Sequence, residues 1–360
     1  MMERIRVLIV DDSPLQRRLL AEILSGDPSI EVVGQASEPL AARELIKRSN
    51  PDVLTLDVKM PKMDGLSFLK NLMRLRPIPV VMVSALTEEG AEVTLQALEL
   101  GAVDFISKPK DIRHTFEDYA GQIISKVKVA SQARVQVRSG QGARVLKGQA
   151  STGGGPQRPG AEGGIKTRRL IAIGASTGGT EAIKEVLTRL PASCPGILIT
   201  QHIPQAFSKS FAARMNGLSA ITVSEAEDGT PILPGHAYIA PGNRHLLVVR
   251  DGARYRCKLS GTPPVNRHRP SVDVLFRSVM QHLGRHGLGV ILTGMGADGA
   301  KGMKEMHEVG AYTIAQDEQS SVIWGMPGEA VKAQAVDCVL PLTKIPAKIL
   351  ALCQQDPGVR

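Results

Sequence analysis

A chain of 360 residues with 42% hydrophobic but only 3% aromatic content, and with 36 glycines, is too long for one ordinary domain. It suits aliphatic α/β layers better than an aromatic β-sandwich. The formal charge of +9 sits in the middle: residues 1–125 hold 15 basic against 19 acidic groups, 126–169 hold 10 against 1, and 170–360 hold 19 against 15. That distribution describes a basic, self-repelling tether between two nearly balanced domains and argues against a nucleic-acid-binding face on either.

The remaining bulk features narrow the class further. Cys194, Cys257, Cys338 and Cys353 are scattered without a C-x-x-C pair, so neither a zinc cage nor a redox motif is expected, and the thiols should be reduced. The N-terminal "MMERIRVLIVDD" has too short an apolar run for a signal peptide. Nowhere do about 18 uncharged apolar residues follow one another. A cytoplasmic protein without membrane insertion is expected.

From residue 6 to 125, short β-branched runs alternate with amphipathic helical patterns: "RVLIV", "EVVGQA", "DVLTLD", "PVVMVSA" and "VDFIS". Five such βα units predict a parallel sheet covered on both faces. Asp11 and Asp12 follow the first strand, Asp57 ends the third, Ser84 ends the fourth, and Lys108 with Pro109 follows the fifth. The carboxyl ends of parallel strands share one edge, so these groups converge. Three clustered carboxylates call for a hard cation, and Mg²⁺ suits them. A lysine and a hydroxyl opposite can hold the oxygens of a transferred phosphoryl group, which marks Asp57 as its acceptor. Either Asp11 or Asp12 alone would read as a helix cap; five polar residues at one edge would not.

With the motifs "VDDS", "LTLDVKMPKMDG", "VSA" and "FISKP", this half resembles the receiver domains of two-component response regulators over residues 4–125. The resemblance implies a flavodoxin-like (βα)5 fold, phosphorylation of Asp57 by a histidine kinase, Mg²⁺ held by Asp11, Asp12 and Asp57, and sensing of the phosphoryl group by Ser84 and Lys108. Phe105 matches the family's aromatic switch position, with core filling as an equal alternative.

After about Val129 the pattern dissolves into "SGQGARVLKGQASTGGGPQRPGAEGGIK", which cannot bury enough apolar surface to order itself. We therefore divide the chain into residues 1–125, a flexible basic linker over 126–167, and a second domain over 168–355. That domain opens another alternating series: "RLIAIGAS" as strand, a helix from about Gly179, "GILITQH" as strand, a helix from about Gln205, then "AITVSEA". Residues 230–260 read as turn-rich hairpins. A helix around 272–284, the strand "GLGVILTGMGADG", another helix, "AYTIAQD", a helix near 326–334 and "DCVLPL" complete a doubly wound parallel sheet with a hairpin insertion.

"IAIGASTGG" contains G-x-S-x-G as Gly174, Ser176 and Gly178 between a strand and a helix, the setting of a nucleophile elbow. Backbone amides at a helix N-terminus there can stabilise an oxyanion, although such a turn also binds phosphate. A base is needed. His236 and His245 sit in hairpins, and His282 and His286 at a helix C-terminus, where imidazole suits the dipole. His202 ends the strand after the Ser176 helix, one βαβ step on, and an ordinary imidazole ionising near about 6.5 serves as a base near neutrality. The orienting carboxylate is expected at Asp298, among Gly294, Gly296 and Gly299, with Asp317 as the alternative; Met295 can lend an oxyanion amide. The chain order Ser, His, Asp departs from the α/β-hydrolase order.

The stretches "IGASTGGTEA", "ITQHIP", "YIAPGNRHL", "HRPSVDVLF", "LTGMGADGA" and "AQDEQSSVIWGMP" are similar to the catalytic domain of the chemotaxis protein-glutamate methylesterases over residues 168 to about 353. A receiver placed before that domain is the family's order. The resemblance implies Ser176 as nucleophile, His202 as general base and acid, Asp298 as its orienter, and amides near Thr177 and Met295 as oxyanion donors, with no metal in the esterase step. It implies hydrolysis of glutamate γ-methyl esters on the cytoplasmic helices of chemoreceptors, with deamidation of selected glutamines, under control of a receiver that covers the catalytic edge until phosphorylated. The long tether weakens the expectation of tight inhibition. The basic run Arg250, Arg254, Arg256, Lys258, Arg267 and Arg269 reads as a solvated hairpin face, or less favourably as a contact for acidic receptor helices. Two rivals fare worse: a dinucleotide-binding module lacks G-x-G-x-x-G spacing and a ribose-binding acid, and a transcription factor lacks a basic recognition helix. Trp324 reads as core.

Overall fold

The computed structural model describes residues 4–60, 64–85, 87–108, 116–133, 135 and 169–354. Residues 136–168, which include most of the linker expected over 126–167, and Pro109 lie outside them. In the first unit, strands β1 (Ile5–Val10), β2 (Ile30–Ala36), β3 (Val53–Asp57), β4 (Val80–Ala85) and β5 (Asp104–Lys108) alternate with helices α1 (Pro14–Ser25), α2 (Pro39–Ser49), α3 (Gly65–Leu75), α4 (Glu88–Glu99) and α5 (Phe116–Ser131). The five strands pair in parallel in the order β2-β1-β3-β4-β5. The order reverses between β1 and β3, which opens a crevice at their carboxyl ends. Helix starts follow local chemistry: the Ser13 hydroxyl accepts from the Gln16 amide with Pro14 in the first turn, and Asp64 accepts from the Ser67 amide. The helix α5 continues to Ser131, past the boundary expected at residue 125.

The second unit holds β6 (Leu170–Ala175), α6 (Gly179–Leu187), β7 (Ile197–Gln201), α7 (Gln205–Leu218), β8 (Thr222–Glu225), β9 (His236–Ile239), β10 (His245–Asp251) and β11 (Arg254–Ser260). It continues with α8 (Val272–Leu283), β12 (Gly287–Ile291), α9 (Ala300–Glu308), β13 (Tyr312–Gln316), α10 (Met326–Lys332), β14 (Cys338–Leu340) and α11 (Ile345–Gln354). Seven strands form one parallel sheet, β14-β13-β12-β6-β7-β9-β8, with its switch point between β12 and β6. Only β10 and β11 make the expected antiparallel hairpin. The segment "HAYI" instead becomes β9 of the main sheet, because three of its four residues are buried and a strand covered on both faces is apolar throughout. The terminal α11 has no counterpart in the sequence reading.

The cysteines are free thiols: Cys194, Cys257 and Cys353 are buried and Cys338 half-buried. Burial pushes the Cys194 and Cys257 thiols up to about 12, so these are inert core groups rather than nucleophiles. Among the described residues no helix is long and apolar enough to cross a membrane.

Candidate active site

Three loops at the carboxyl edge of the second sheet deliver the expected residues. Ser176 follows β6, His202 follows β7, and Asp298 follows β12, on both sides of the switch point. The glycines around Ser176 do different jobs. Gly178 turns the chain with φ +76°, whereas at Gly174 a Cβ would meet Val272 Cγ1 at 2.2 Å, so this glycine lets α8 approach the strand end. Opposite, a Cβ on Gly294 would meet Ser176 Cβ at 2.8 Å. The Ser176 amide donates to the Thr293 carbonyl at 3.0 Å, fixing the serine against the loop after β12.

His202 is tied to the serine corner through its backbone. Its amide donates to the Ala175 carbonyl at 3.2 Å, and Gln201 Nε2 donates to the Ser176 carbonyl at 2.9 Å. The ring's Nε2 lies 2.8 Å from Asp298 Oδ2. A carboxylate only accepts, so Nε2 carries the proton and Nδ1 is left with its lone pair. That Nδ1 is buried without a hydrogen-bond partner among the described residues. Among the described residues no hydrogen bond yet joins the Ser176 hydroxyl to it, a looseness usual for catalytic pairs without substrate.

Asp298, 2% exposed, is the most heavily bonded group of the site. Oδ1 accepts from Asn266 Nδ2 at 2.7 Å and from the Ser271 hydroxyl at 2.8 Å, and Oδ2 accepts from the Val272 amide at 2.7 Å. Ser271, the N-cap of α8, makes no cap of its own with its side chain. Asp298 therefore caps that helix from another loop and sits at the positive end of its dipole. Burial alone would raise its pKa; the His202 proton and charge, Asn266 and the Val272 amide outweigh burial and hold the carboxyl well below the usual range. The exchange is reciprocal: Asp273 of α8 accepts from the Gly302 amide of α9 at 2.7 Å, and Asn266 bridges the two carboxylates.

Sequence reasoning missed this shell. Asn266, His268 and Ser271 come from a loop without periodicity, and His245 opens the hairpin strand β10 as expected but is completely buried. Its Nε2 faces the Pro263 carbonyl at 3.1 Å and its Nδ1 accepts from the Ser271 amide at 3.1 Å, which steadies the α8 cap. The alternative carboxylate, Asp317, only closes a local turn by accepting from the Ser320 amide and hydroxyl. Trp324, expected in the core, is half-buried and donates to the Gln316 carbonyl at 3.0 Å. The basic hairpin is largely self-paired: Arg256 with Asp251, Lys258 with Asp228, and Arg269 with Asn243.

Neither expected oxyanion amide, that of Thr177 or of Met295, donates to a backbone carbonyl among the described residues. Both of their side chains instead touch the first unit. The Thr177 hydroxyl donates to Asp104 Oδ2 at 2.6 Å, and the Ser125 hydroxyl lies 3.7 Å from Met295 Sδ. Phe105 packs on Phe207 of α7 with ring centroids 4.5 Å apart, and Glu99 bridges Lys184 and Arg214. Lys126 holds the other Asp104 oxygen at 2.7 Å.

At the first sheet's crevice, Lys108 Nζ lies 3.0 Å from both Asp11 Oδ2 and Asp57 Oδ2. Asp11, Asp12 and Asp57 offer carboxylate oxygens within 4.8 Å of one another, the only such cluster of metal-capable groups among the described residues. This all-oxygen set fits a hard divalent cation. Ser84 is buried at the end of β4, its hydroxyl 3.3 Å from the Gly90 carbonyl.

Residues 171–349 match the family model of the CheB methylesterase, and residues 7–119 that of the response regulator receiver domain. A protein-glutamate methylesterase/protein-glutamine glutaminase of Hydrogenovibrio crunogenus is 56% identical over 98% of this chain and all of its own length. The chain belongs to that family. The namesake from Nitrosomonas europaea is 58% identical over 97% of each chain. Among solved structures, the CheB methylesterase catalytic domain of Thermotoga maritima matches with a TM-score of 0.50 and 37% identity, over 51% of this chain and 98% of that one. The two-domain architecture, a receiver followed by a parallel-sheet catalytic domain, is thus that of the family.

Proposed function

We propose that this chain is a phosphorylation-regulated serine hydrolase of chemotaxis adaptation that cleaves glutamate γ-methyl esters on the cytoplasmic helices of chemoreceptors and deamidates receptor glutamines. The observation that carries the chemistry is the 2.8 Å bond from His202 Nε2 to Asp298, which leaves Nδ1 as a buried, unpartnered base beside the serine corner. Ser176 Oγ attacks the ester carbonyl while His202 Nδ1 takes its proton; the Thr177 and Met295 amides receive the developing oxyanion. The tetrahedral intermediate collapses, His202 returns the proton, and methanol leaves, or ammonia from a glutamine. Water, deprotonated by the same nitrogen, then releases glutamate and restores the serine.

Regulation follows from the contacts of β5. Lys108 at its end meets Asp57, while Asp104 and Phe105 near its start hold Thr177 and Phe207. Unphosphorylated, the receiver thus occupies the rim where substrate must enter. A Mg²⁺ held by Asp11, Asp12 and Asp57 would neutralise charge on the incoming phosphoryl group. Phosphate transfer from a chemotaxis histidine kinase to Asp57 gives Lys108 a new partner, with Ser84 beside it, and the pull on β5 loosens the Asp104 and Phe105 contacts. Work in the cytoplasm follows from such a substrate and phosphodonor. Methanol release from methylated receptor membranes, with and without phosphodonor, tests the reading. Ser176→Ala is expected to abolish it, and retained hydrolysis would assign the nucleophile elsewhere.

A further inference from the structure

The loop that supplies Asn266 also places a second imidazole against His202. Val265 and His268 face each other as an antiparallel bridge with both backbone hydrogen bonds, 3.1 and 2.9 Å, so Asn266 and Arg267 form a two-residue turn. Both turn residues have positive φ, 53° and 67°. This is the turn type that usually takes Asn-Gly, and an arginine in the second position costs backbone energy that the surroundings must hold in place. They do so through Asn266, whose Nδ2 donates to Asp298 at 2.7 Å and to Asp273 at 2.8 Å. The residue that leaves the turn, His268, lays its ring on that of His202, with centroids 3.7 Å apart and an interplanar angle of 8°.

Among the described residues His202 has one in-plane bond, to Asp298, and an unpartnered Nδ1. A single hydrogen bond fixes where Nε2 sits but leaves the ring free to tilt about that bond. A parallel ring on its face removes the tilt. We propose that His268 is a positioning residue that sets the plane of the His202 imidazole, so that Nδ1 is presented to the Ser176 hydroxyl. This rests on the reading of Ser176, His202 and Asp298 as the catalytic set. The charge balance agrees with such a role. Burial first, then His202, press the His268 pKa down to about 4 against the pull of Asp298, and Lys126 of the receiver presses the same way. A neutral ring does not oppose the imidazolium that forms on His202 during acylation, whereas a cation there would.

The prediction separates plane from chemistry. In the full-length chain, stimulated with phosphodonor and assayed on methylated receptor membranes, His268→Ala should lower kcat by about 10- to 100-fold, with KM within about twofold of wild type. His268→Phe restores a flat, neutral ring without nitrogens and should recover activity to within about threefold of wild type. Three outcomes overturn the proposal: an alanine variant with wild-type kcat, a phenylalanine variant as slow as alanine, or a loss confined to KM. Ser176→Ala run in parallel keeps the two readings apart. Retained hydrolysis there removes the catalytic set itself, whereas its loss beside an unaffected His268→Ala removes only the positioning role.

Discussion

Asp104→Ala should switch the enzyme on without phosphate. The Asp104 carboxylate accepts from the Thr177 hydroxyl at 2.6 Å, and both partners are buried at the domain contact. A hydrogen bond to a charged group contributes about 1.5–3 kcal/mol, and the closed state of the variant also keeps a buried hydroxyl without its acceptor. Part of this is returned, because Lys126 is 30% exposed and re-solvates once its partner is gone. A net loosening of about 1–2 kcal/mol shifts the closed-to-open ratio by roughly 5–30-fold. The assay is the initial rate of methanol release from methylated receptor membranes without phosphodonor. The rate should rise by that factor toward an unchanged stimulated maximum, and should rise equally in Asp104→Ala combined with Asp57→Asn. A basal rate within about twofold of wild type, or a rise that needs Asp57, would refute the latch.

Other outcomes test the site and its scaffold. Asp298→Asn removes the acceptor that selects the Nε2–H tautomer and should cut kcat by roughly 10⁴, read on the same membranes. Gly174→Ala forces a Cβ to within 2.2 Å of Val272 Cγ1, a residue whose amide holds Asp298; about 1–3 kcal/mol of stability should be lost by urea unfolding, with a fall in kcat. His268 titrates near 4 folded and near 6.5 unfolded, so the unfolded chain binds more protons between those values and stability rises with pH there. His268→Phe should remove a rise on the order of 3 kcal/mol between pH 4 and 6.5, leaving any slope from other groups.

What was legible in the sequence follows from one rule: groups at the ends of parallel strands share an edge. Ser176, His202, Asp298 and the carboxylates of the first unit each end or follow a strand, so spacing brought them to the edges, while the preference for Asp298 over Asp317, which also follows a strand, rested on the glycines around it. The Asn266 turn, the His268 ring, the Ser271 hydroxyl and buried His245 follow no strand of that sheet and have no period; their roles appear only when α8 is docked on Gly174. The strand β9 was misread because four residues with a histidine and a tyrosine resemble a hairpin arm until both faces are seen to be covered. A receiver over the catalytic edge was expected from the resemblance, but the residues of the contact were hidden, since Asp104 and Thr177 have no reason to meet until two separate sheets are placed side by side.

The strand β5 has a mechanical consequence. Asp104 and Lys108 are four residues apart, roughly 13 Å along an extended backbone that neither stretches nor bends easily while it remains paired with β4. On the proposed regulation, input at Lys108 and output at Asp104 would sit on one strand, so that a displacement of one end is carried to the other through the β4 pairing. The 2.6 Å bond from the Thr177 hydroxyl to Asp104 would then report a displacement of β5 directly.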